Sequence, residues 1–196
     1  MTLRLLPAWT AAAAVGAAVV LAGCTPLASD AEPSADASSL ADPSLSAVAV
    51  APAGTPDPCE MITLKKLNGI VDVKMADGEF NSSLSYEGRN ICEWRPKNEE
   101  RSEPRVQVEI NWEYPDPEAH QAIAEGVFGR TVKPGGKIKN ADYAYALPGR
   151  RTIGMGVGDY FVKVSFIQPN RKGAPDITLK LARAVSSTLA EEIGAA

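Results

Sequence analysis

The segment that most limits what this chain can fold into runs from Thr25 to Pro56. It holds nine alanines, six serines and five prolines, and it has no aromatic residue. Such side chains cannot bury enough apolar surface to offset the entropy that is lost when a chain becomes ordered. We therefore expect residues 24–56 to be a disordered tether with a mean reach on the order of 30 Å. The single globular domain is expected over residues 57–196.

The segment before the tether has the layout of a secretory signal peptide. Arg4 supplies positive charge, and an apolar run follows from Leu5 to Leu21. At roughly 17 residues this run is also at the lower limit for a transmembrane helix, so an uncleaved membrane span is the alternative interpretation.

The end of the apolar run resembles the bacterial lipobox, in the residues Leu21, Ala22, Gly23 and Cys24. The resemblance implies that residues 1–23 are a lipoprotein signal peptide and that the thiol of Cys24 receives a lipid. Two or three acyl chains, at about 0.8 kcal/mol per buried CH₂, hold a protein firmly on a membrane. We expect the protein to be lipid-anchored at the extracytoplasmic face of the cytoplasmic membrane.

The charge of the expected domain is nearly balanced. Arg4 is the one basic residue before Cys24, and the tether has four acidic residues and no basic one. From Asp57 onward there are 19 basic and 20 acidic residues. Because nucleic-acid-binding domains are usually strongly basic, we exclude nucleic acid as a partner.

Two cysteines, Cys59 and Cys92, remain once Cys24 is assigned to the anchor. An even pair in an exported domain usually forms a disulfide, which here would stabilise the fold by roughly 3.8 kcal/mol at most. The alternative is a metal site, but such a site needs further ligands. His120 is the single histidine of the chain.

Residues around these cysteines resemble a family of actinobacterial lipoproteins that contain a domain of unknown function. The likeness is carried by Asp57-Pro58-Cys59 and by Cys92-Glu93-Trp94, together with the lipobox. It implies an exported, disulfide-linked α+β domain, and it implies no activity and no catalytic residue. One departure is Asn68-Gly69-Ile70, where the family has a longer alanine-rich helix.

The first half of the domain predicts a short helix and a hairpin. Thr63 is a plausible N-cap for a helix through Asn68 that Gly69 would end. Residues Arg105 to Tyr114 alternate between apolar and polar side chains, which predicts a half-buried strand. Ile91 to Arg95 is the expected antiparallel partner, joined to it by a long charged loop.

The second half predicts a helix, three strands and a final helix. Asp116 and Pro117 begin the first helix, whose residues Ala119, Ile123 and Val127 predict a buried stripe as far as about Phe128. Asp176 is the expected cap of the final helix, whose apolar residues are spaced four apart: Ile177, Leu181, Val185, Leu189 and Ile193. The three strands are expected at Asp142–Leu147, Arg151–Val157 and Tyr160–Ile167. The fold class is therefore α+β, with a mainly antiparallel sheet of about five strands covered by two or three helices.

No group of residues in the sequence predicts catalysis, and we expect no metal and no cofactor. His120 has no positioned nucleophile nearby in sequence and is expected at the surface or its boundary. Gly154, Gly156 and Gly158 lack the lysine of a phosphate-binding loop, so they are expected to mark a bulge or close packing in a strand. Gly158 and Asp159 also predict a hairpin turn. Glu109 and Glu113 share the polar side of one strand pattern, where we expect solvent-exposed carboxylates.

Three hypotheses for function follow. The first is a non-catalytic module that binds an envelope protein or a cell-wall component, with a candidate contact loop at Arg95, Lys97, Glu99, Glu100, Arg101 and Arg105. The second is a carrier of a small apolar ligand, held in a cavity between sheet and helices and lined by Trp112, Tyr114, Phe161 and Phe166. The third is a carboxylate-dependent cell-wall hydrolase.

Overall fold

A computed structural model describes residues 51–86, 88–98, 102–168 and 171–195. Cys24 and its lipobox lie outside the described residues, as do most of the tether and Glu99, Glu100 and Arg101 of the contact loop. No helix in the described part of the chain is both long enough and apolar enough to cross a membrane.

The described part of the domain has nine elements in the order α1, β1, β2, β3, α2, β4, β5, β6, α3. The helices are α1 at Leu64–Val71, α2 at Pro117–Phe128 and α3 at Ala174–Ala195. The strands are β1 at Glu79–Phe80, β2 at Arg89–Trp94, β3 at Arg105–Asn111, β4 at Tyr143–Ala146, β5 at Thr152–Val157 and β6 at Tyr160–Ile167.

The strands form one antiparallel sheet in the order β1-β2-β3-β6-β5-β4. This confirms the predicted α+β class, with six strands where about five were expected. The additional strand is β1, whose two residues are too few for an alternating pattern to reveal it.

The main hydrophobic core lies between one face of the sheet and the helices α1 and α3. Val108 and Val164 face each other across β3 and β6 in the middle of this side. The long helix α3 contributes the expected apolar residues at a spacing of four, namely Ile177, Leu181, Val185 and Leu189. The predicted spacing is confirmed, but the helix begins at Ala174, so Asp176 lies in its first turn and is not its cap.

A disulfide joins Cys59 to Cys92, with the two Cα atoms 5.1 Å apart. Cys59 precedes α1, and Cys92 lies within β2 on the core side. The predicted pairing is therefore confirmed, and the bond holds the start of the domain against the sheet.

The boundary of α1 differs from the prediction. Thr63 is the N-cap as expected, since its side chain accepts a hydrogen bond from the backbone N–H of Lys66 at 3.4 Å. The helix continues through Gly69 to Val71, and its C-cap is Asp72, whose backbone is left-handed with φ 58°. Gly69 does not end the helix because Leu67 and Val71, on either side of it, are buried in the core, and this packing stabilises the helix.

Candidate functional site

The second face of the sheet, opposite the main core, carries a mixture of charged, hydroxyl and aromatic side chains. In the middle of this face, Glu109 on β3 is paired in register with Lys163 on β6. Tyr145 on β4 lies opposite Gly154 on β5 in the same row of the sheet. The alternation of side chains along each strand explains this arrangement, because residues two apart share a face.

Helix α2 lies over part of this second face and is attached mainly through its first half. The ring of His120 stacks on Phe161 of β6, with 3.7 Å between ring centroids and 7° between ring planes. Gln121 accepts a hydrogen bond from the hydroxyl of Tyr143. Gly156 allows Pro117 to approach the sheet, since a Cβ atom at residue 156 would lie 3.1 Å from Pro117 Cγ.

The start of α2 is held by local hydrogen bonds. The carboxylate of Asp116 accepts from the backbone N–H groups of Glu118 at 2.9 Å and Ala119 at 3.3 Å, as the N-cap prediction requires. His120 Nε2 lies 2.8 Å from the carbonyl oxygen of Tyr114. Because a carbonyl oxygen only accepts, Nε2 carries the proton and His120 connects the helix to the preceding loop.

The apolar stripe predicted along α2 is not buried, which corrects the sequence interpretation. Ile123 is 66% exposed and Val127 is 71% exposed, and Ala119 is exposed as well. Phe128, at the end of the helix, is 55% exposed. The periodic pattern is present, but the second half of the helix faces open space beside the sheet instead of a packed core.

A groove of about 590 Å³ lies between α2 and the second face of the sheet. This size falls within the range of roughly 300–1,000 Å³ that is typical of small-molecule sites. One wall is the exposed apolar side of α2, which contacts β4 and β5, and Tyr86 and Arg89 form part of the opposite wall at the start of β2. Tyr114 lines the groove just before α2 begins. The floor is formed by strand residues that include Glu109, Phe161, Lys163, Ser165, Thr152 and Tyr145.

The charged residues of the floor are closely coupled. Glu109 is only 3% exposed, so the solvent-exposed carboxylate predicted from the strand pattern is wrong at this position. Its Oε2 lies 2.5 Å from Lys163 Nζ, and its Oε1 lies 3.5 Å from Arg89 Nη1. Glu113 is exposed and lies beyond the end of β3, because the strand ends at Asn111.

Polar groups complete the floor. The hydroxyls of Thr152 and Ser165 lie 3.0 Å apart. Burial raises the pKa of Tyr145 to about 12, and the negative charge of Glu109 adds to this rise. The Tyr145 phenol therefore keeps its proton at neutral pH and remains a hydrogen-bond donor beside the groove.

Arg89, in the wall of the groove, contacts both an aromatic ring and a carboxylate. Its guanidinium lies over the ring of Tyr86, 3.6 Å from the ring centroid. Its Nε atom is buried and has no hydrogen-bond partner among the described residues. A buried charged donor without a partner is costly. The part of Arg89 that a bound group can reach is the 19% of its side chain that is exposed.

Two of the four residues predicted to line a ligand cavity do line the groove. Tyr114 and Phe161 are in its lining. Phe166 lies in the main core on the other face, and Trp112 does not contribute to the groove lining. The alternating pattern placed Trp112 and Tyr114 on one face of a strand from Arg105 to Tyr114, but β3 ends at Asn111.

The described residues of the candidate contact loop, Arg95, Lys97 and Arg105, are not part of the groove lining. Arg95 and Arg105 both approach the buried carboxylate of Glu93, at 2.5 Å and 3.8 Å respectively. Lys97 is exposed, and its backbone N–H donates to the carbonyl oxygen of Lys74 at 2.9 Å. Arg95 and Arg105 thus also serve to neutralise a carboxylate of the sheet.

Two of the glycines that were compared with a phosphate-binding loop have roles in packing and in a turn. A Cβ atom at residue 154 would lie 2.6 Å from Tyr145 Cζ, so Gly154 allows the tyrosine ring to pack against the strand. Gly158 is in the turn between β5 and β6, with a left-handed φ of 54°. In the described ranges, no group of three or more histidine, cysteine, aspartate or glutamate residues is placed to hold a metal ion.

Comparison with known proteins provides no relative for this chain. No protein-family model matches it, and neither the curated proteins nor the solved structures contain a significant match. The resemblance to actinobacterial lipoproteins therefore stays a prediction, and the candidate site depends on the geometry of the groove.

Proposed function

We propose that this protein is a non-catalytic binding module of the cell envelope and that its ligand occupies the groove between α2 and the sheet. The observation that carries the proposal is the exposed apolar side of α2. Ile123 and Val127 have the spacing of core residues but face an open groove. Burying this surface against a ligand would gain roughly 25 cal/mol for each Å² of apolar area removed from water.

The proposed location is the outer face of the cytoplasmic membrane, with a lipid anchor on Cys24. The lipobox resemblance supports this location, and the disulfide is consistent with it, since such bonds persist in oxidising compartments. The tether would allow the groove to reach ligands on the order of 30 Å from the membrane surface.

The ligand proposal is tested by exchanging one exposed apolar residue for a charged one. Full-length protein is purified from its native cells without denaturation, and the bound small molecules are extracted and identified by mass spectrometry. We expect Ile123→Glu to lose a molecule that the unmodified protein retains, because a carboxylate would have to be desolvated inside the groove.

Leu84→Glu is the matched control. Leu84 is also an exposed apolar residue, but it does not line the groove. The proposal fails if the unmodified protein carries no molecule beyond what Ile123→Glu carries. It also fails if the protein forms dimers that Ile123→Glu dissociates, because the groove would then be a surface for self-association.

The anchor is tested separately. Cys24→Ala should abolish metabolic labelling with a radioactive or clickable fatty acid and leave an unprocessed precursor, since the acylated thiol is absent. Electrophoresis and mass spectrometry of the membrane fraction measure both effects. Unchanged labelling would contradict the anchor while leaving the groove proposal intact.

A further inference from the structure

The groove has two chemically different sides. The side formed by α2 presents apolar groups, chiefly Ile123, Val127 and Phe128. The opposite wall and the floor present charged groups and hydroxyls, and these lie on strands whose positions are set by the sheet register. A purely apolar ligand would match one side and leave the polar groups of the other side without partners.

The charge of the groove is positive. Among the described residues that line it, Arg89 and Lys163 are cations and Glu109 is the single carboxylate. Lys163 contacts Glu109 at 2.5 Å, whereas the Arg89 contact is longer at 3.5 Å. Lys163 is therefore the closer partner of Glu109, and Arg89 is the more weakly paired of the two cations.

Arg89 is also accessible from the groove, since it lines the groove and 19% of its side chain is exposed. The Tyr86 ring covers one face of the guanidinium. The ring fixes the guanidinium plane, which pre-organises its donors for a planar or tetrahedral anion. The phenol of Tyr145, protonated at neutral pH, is a further donor at the same floor.

We infer that the ligand is an amphiphile with an anionic head group, either a carboxylate or a phosphate, that binds at Arg89 while its hydrocarbon chain lies along α2. This inference rests on the proposed function and adds the chemical class of the ligand. It assigns Arg89 as the residue that distinguishes an anionic amphiphile from an uncharged one.

The experiment compares a charged probe with its uncharged analogue. Full-length protein, kept in solution by an amphipathic polymer, is titrated with a fatty acid that carries a dansyl group at its far end, and with the methyl ester of that acid. We expect Arg89→Gln to weaken binding of the acid by about tenfold or more, the usual effect of losing one charge-assisted hydrogen bond. Binding of the ester should change by less than about twofold.

Arg89→Gln is chosen because Glu109 keeps its 2.5 Å contact with Lys163, so the variant does not leave a buried carboxylate alone. Arg95→Gln is the matched control. Arg95 also pairs with a buried glutamate of the sheet, Glu93, but it lies outside the groove. This control should leave the affinities for both probes unchanged.

Displacement of the dansyl probe identifies the head group. Dodecanoate and dodecyl phosphate are compared with dodecanol, which has the same chain and no charge. Preferential displacement by either anion supports the inference and shows which head group is bound more tightly. Equal displacement by dodecanol overturns it.

The other outcomes separate this inference from the function on which it rests. If Arg89→Gln weakens binding of the acid and of the ester equally, Arg89 does not recognise an anionic head group, and the groove proposal stands. If neither probe binds the unmodified protein, or if Ile123→Glu has no effect on binding, the proposed function itself fails. If Arg89→Gln does not fold, the salt dependence of binding to the unmodified protein decides. Salt should weaken binding of the acid and leave binding of the ester unchanged, because it screens charge.

Discussion

Gly154 lies directly opposite Tyr145 in the pairing of β4 with β5. A Cβ atom at this position would lie 2.6 to 2.8 Å from three atoms of the Tyr145 side chain, two in the ring and the hydroxyl oxygen. Real side chains do not approach so closely, so the ring can occupy its place against the strand only because residue 154 is glycine. The shape of the groove floor therefore depends on the absence of one methyl group.

This dependence gives a prediction at the scale of single residues. Gly154→Ala should lower the free energy of unfolding by about 1–3 kcal/mol, because the added methyl group overpacks the space beneath the Tyr145 ring. Urea denaturation followed by circular dichroism measures the change. The displaced ring should also weaken binding of any ligand in the groove.

Gly69→Ala is the control for this substitution. Gly69 lies inside α1, and a Cβ atom there would meet nothing within 4 Å. Alanine should stabilise the helix by roughly 0.5–1 kcal/mol, since glycine loses more backbone entropy on folding. Equal destabilisation by both alanines would contradict the steric argument.

Glu109 shows what residue-level sequence reasoning missed. The alternation around this position correctly separated Val108 and Ile110 from Glu109 by strand face, and the two apolar residues are in the core. The pattern did not reveal that the second face is itself covered around Glu109. A signal was present in Lys163, which follows the same alternation on β6, but only the register of β3 with β6 brings the two charges together.

At the scale of elements, α2 differs from the other helices. It begins and ends as predicted from Asp116, Pro117 and Phe128, yet none of its residues is buried. Its attachment depends on His120 and Gln121 near its start and on the N-cap. We therefore expect α2 to open more readily than the sheet, because few apolar contacts hold it.

Asp116→Ala tests this view of α2. Loss of the N-cap should destabilise the helix by about 1 kcal/mol and accelerate amide hydrogen exchange in residues 119–128. The exchange of amides in β3 and β6 should not change, because the core on the other face of the sheet does not depend on α2. Hydrogen exchange read by mass spectrometry resolves the two regions.

The comparison variant is Thr63→Ala, which removes the N-cap of α1. Leu67 and Val71 of α1 are buried in the main core, so this substitution should lower the stability of the whole domain. If Asp116→Ala accelerated exchange throughout the sheet as well, α2 would be an integral part of the core and the proposed open groove would be in doubt.

At the scale of the whole molecule, the disulfide connects the first described segment of the domain to β2. Cys59 and Cys92 are separated by 33 positions in the sequence. Closing a loop of this size restricts the unfolded chain more than the folded one. The bond therefore stabilises the domain as a unit.

The double substitution Cys59→Ser and Cys92→Ser should lower the free energy of unfolding by about 2–4 kcal/mol. Urea denaturation under non-reducing conditions measures this loss. Cys24→Ala serves as the control, since Cys24 is not part of the disulfide and its removal should leave the denaturation midpoint unchanged. A loss below about 1 kcal/mol in the double variant would contradict the chain-entropy argument.

The sequence alone determined the three helices and five of the six strands. The alternation of Val106, Val108 and Ile110 predicted a strand, and the spacing of Leu181, Val185 and Leu189 predicted a helix, because both periods follow from local backbone geometry. Cys59 and Cys92 predicted a disulfide, because they are the two cysteines that remain once Cys24 is assigned to the lipid anchor. The caps at Thr63 and Asp116 were equally local, and both are present.

Only the tertiary structure decided which apolar stripe is buried and which faces a groove. Ile123 and Val127 have the same spacing as core residues, and their exposure depends on the position of α2 over the sheet, which is set by contacts distant in sequence such as His120 with Phe161. The grouping of Arg89, Glu109 and Lys163 likewise depends on three strands meeting in one register. Local patterns specify a residue's face within its own element, whereas a site arises from elements that the chain brings together from far apart.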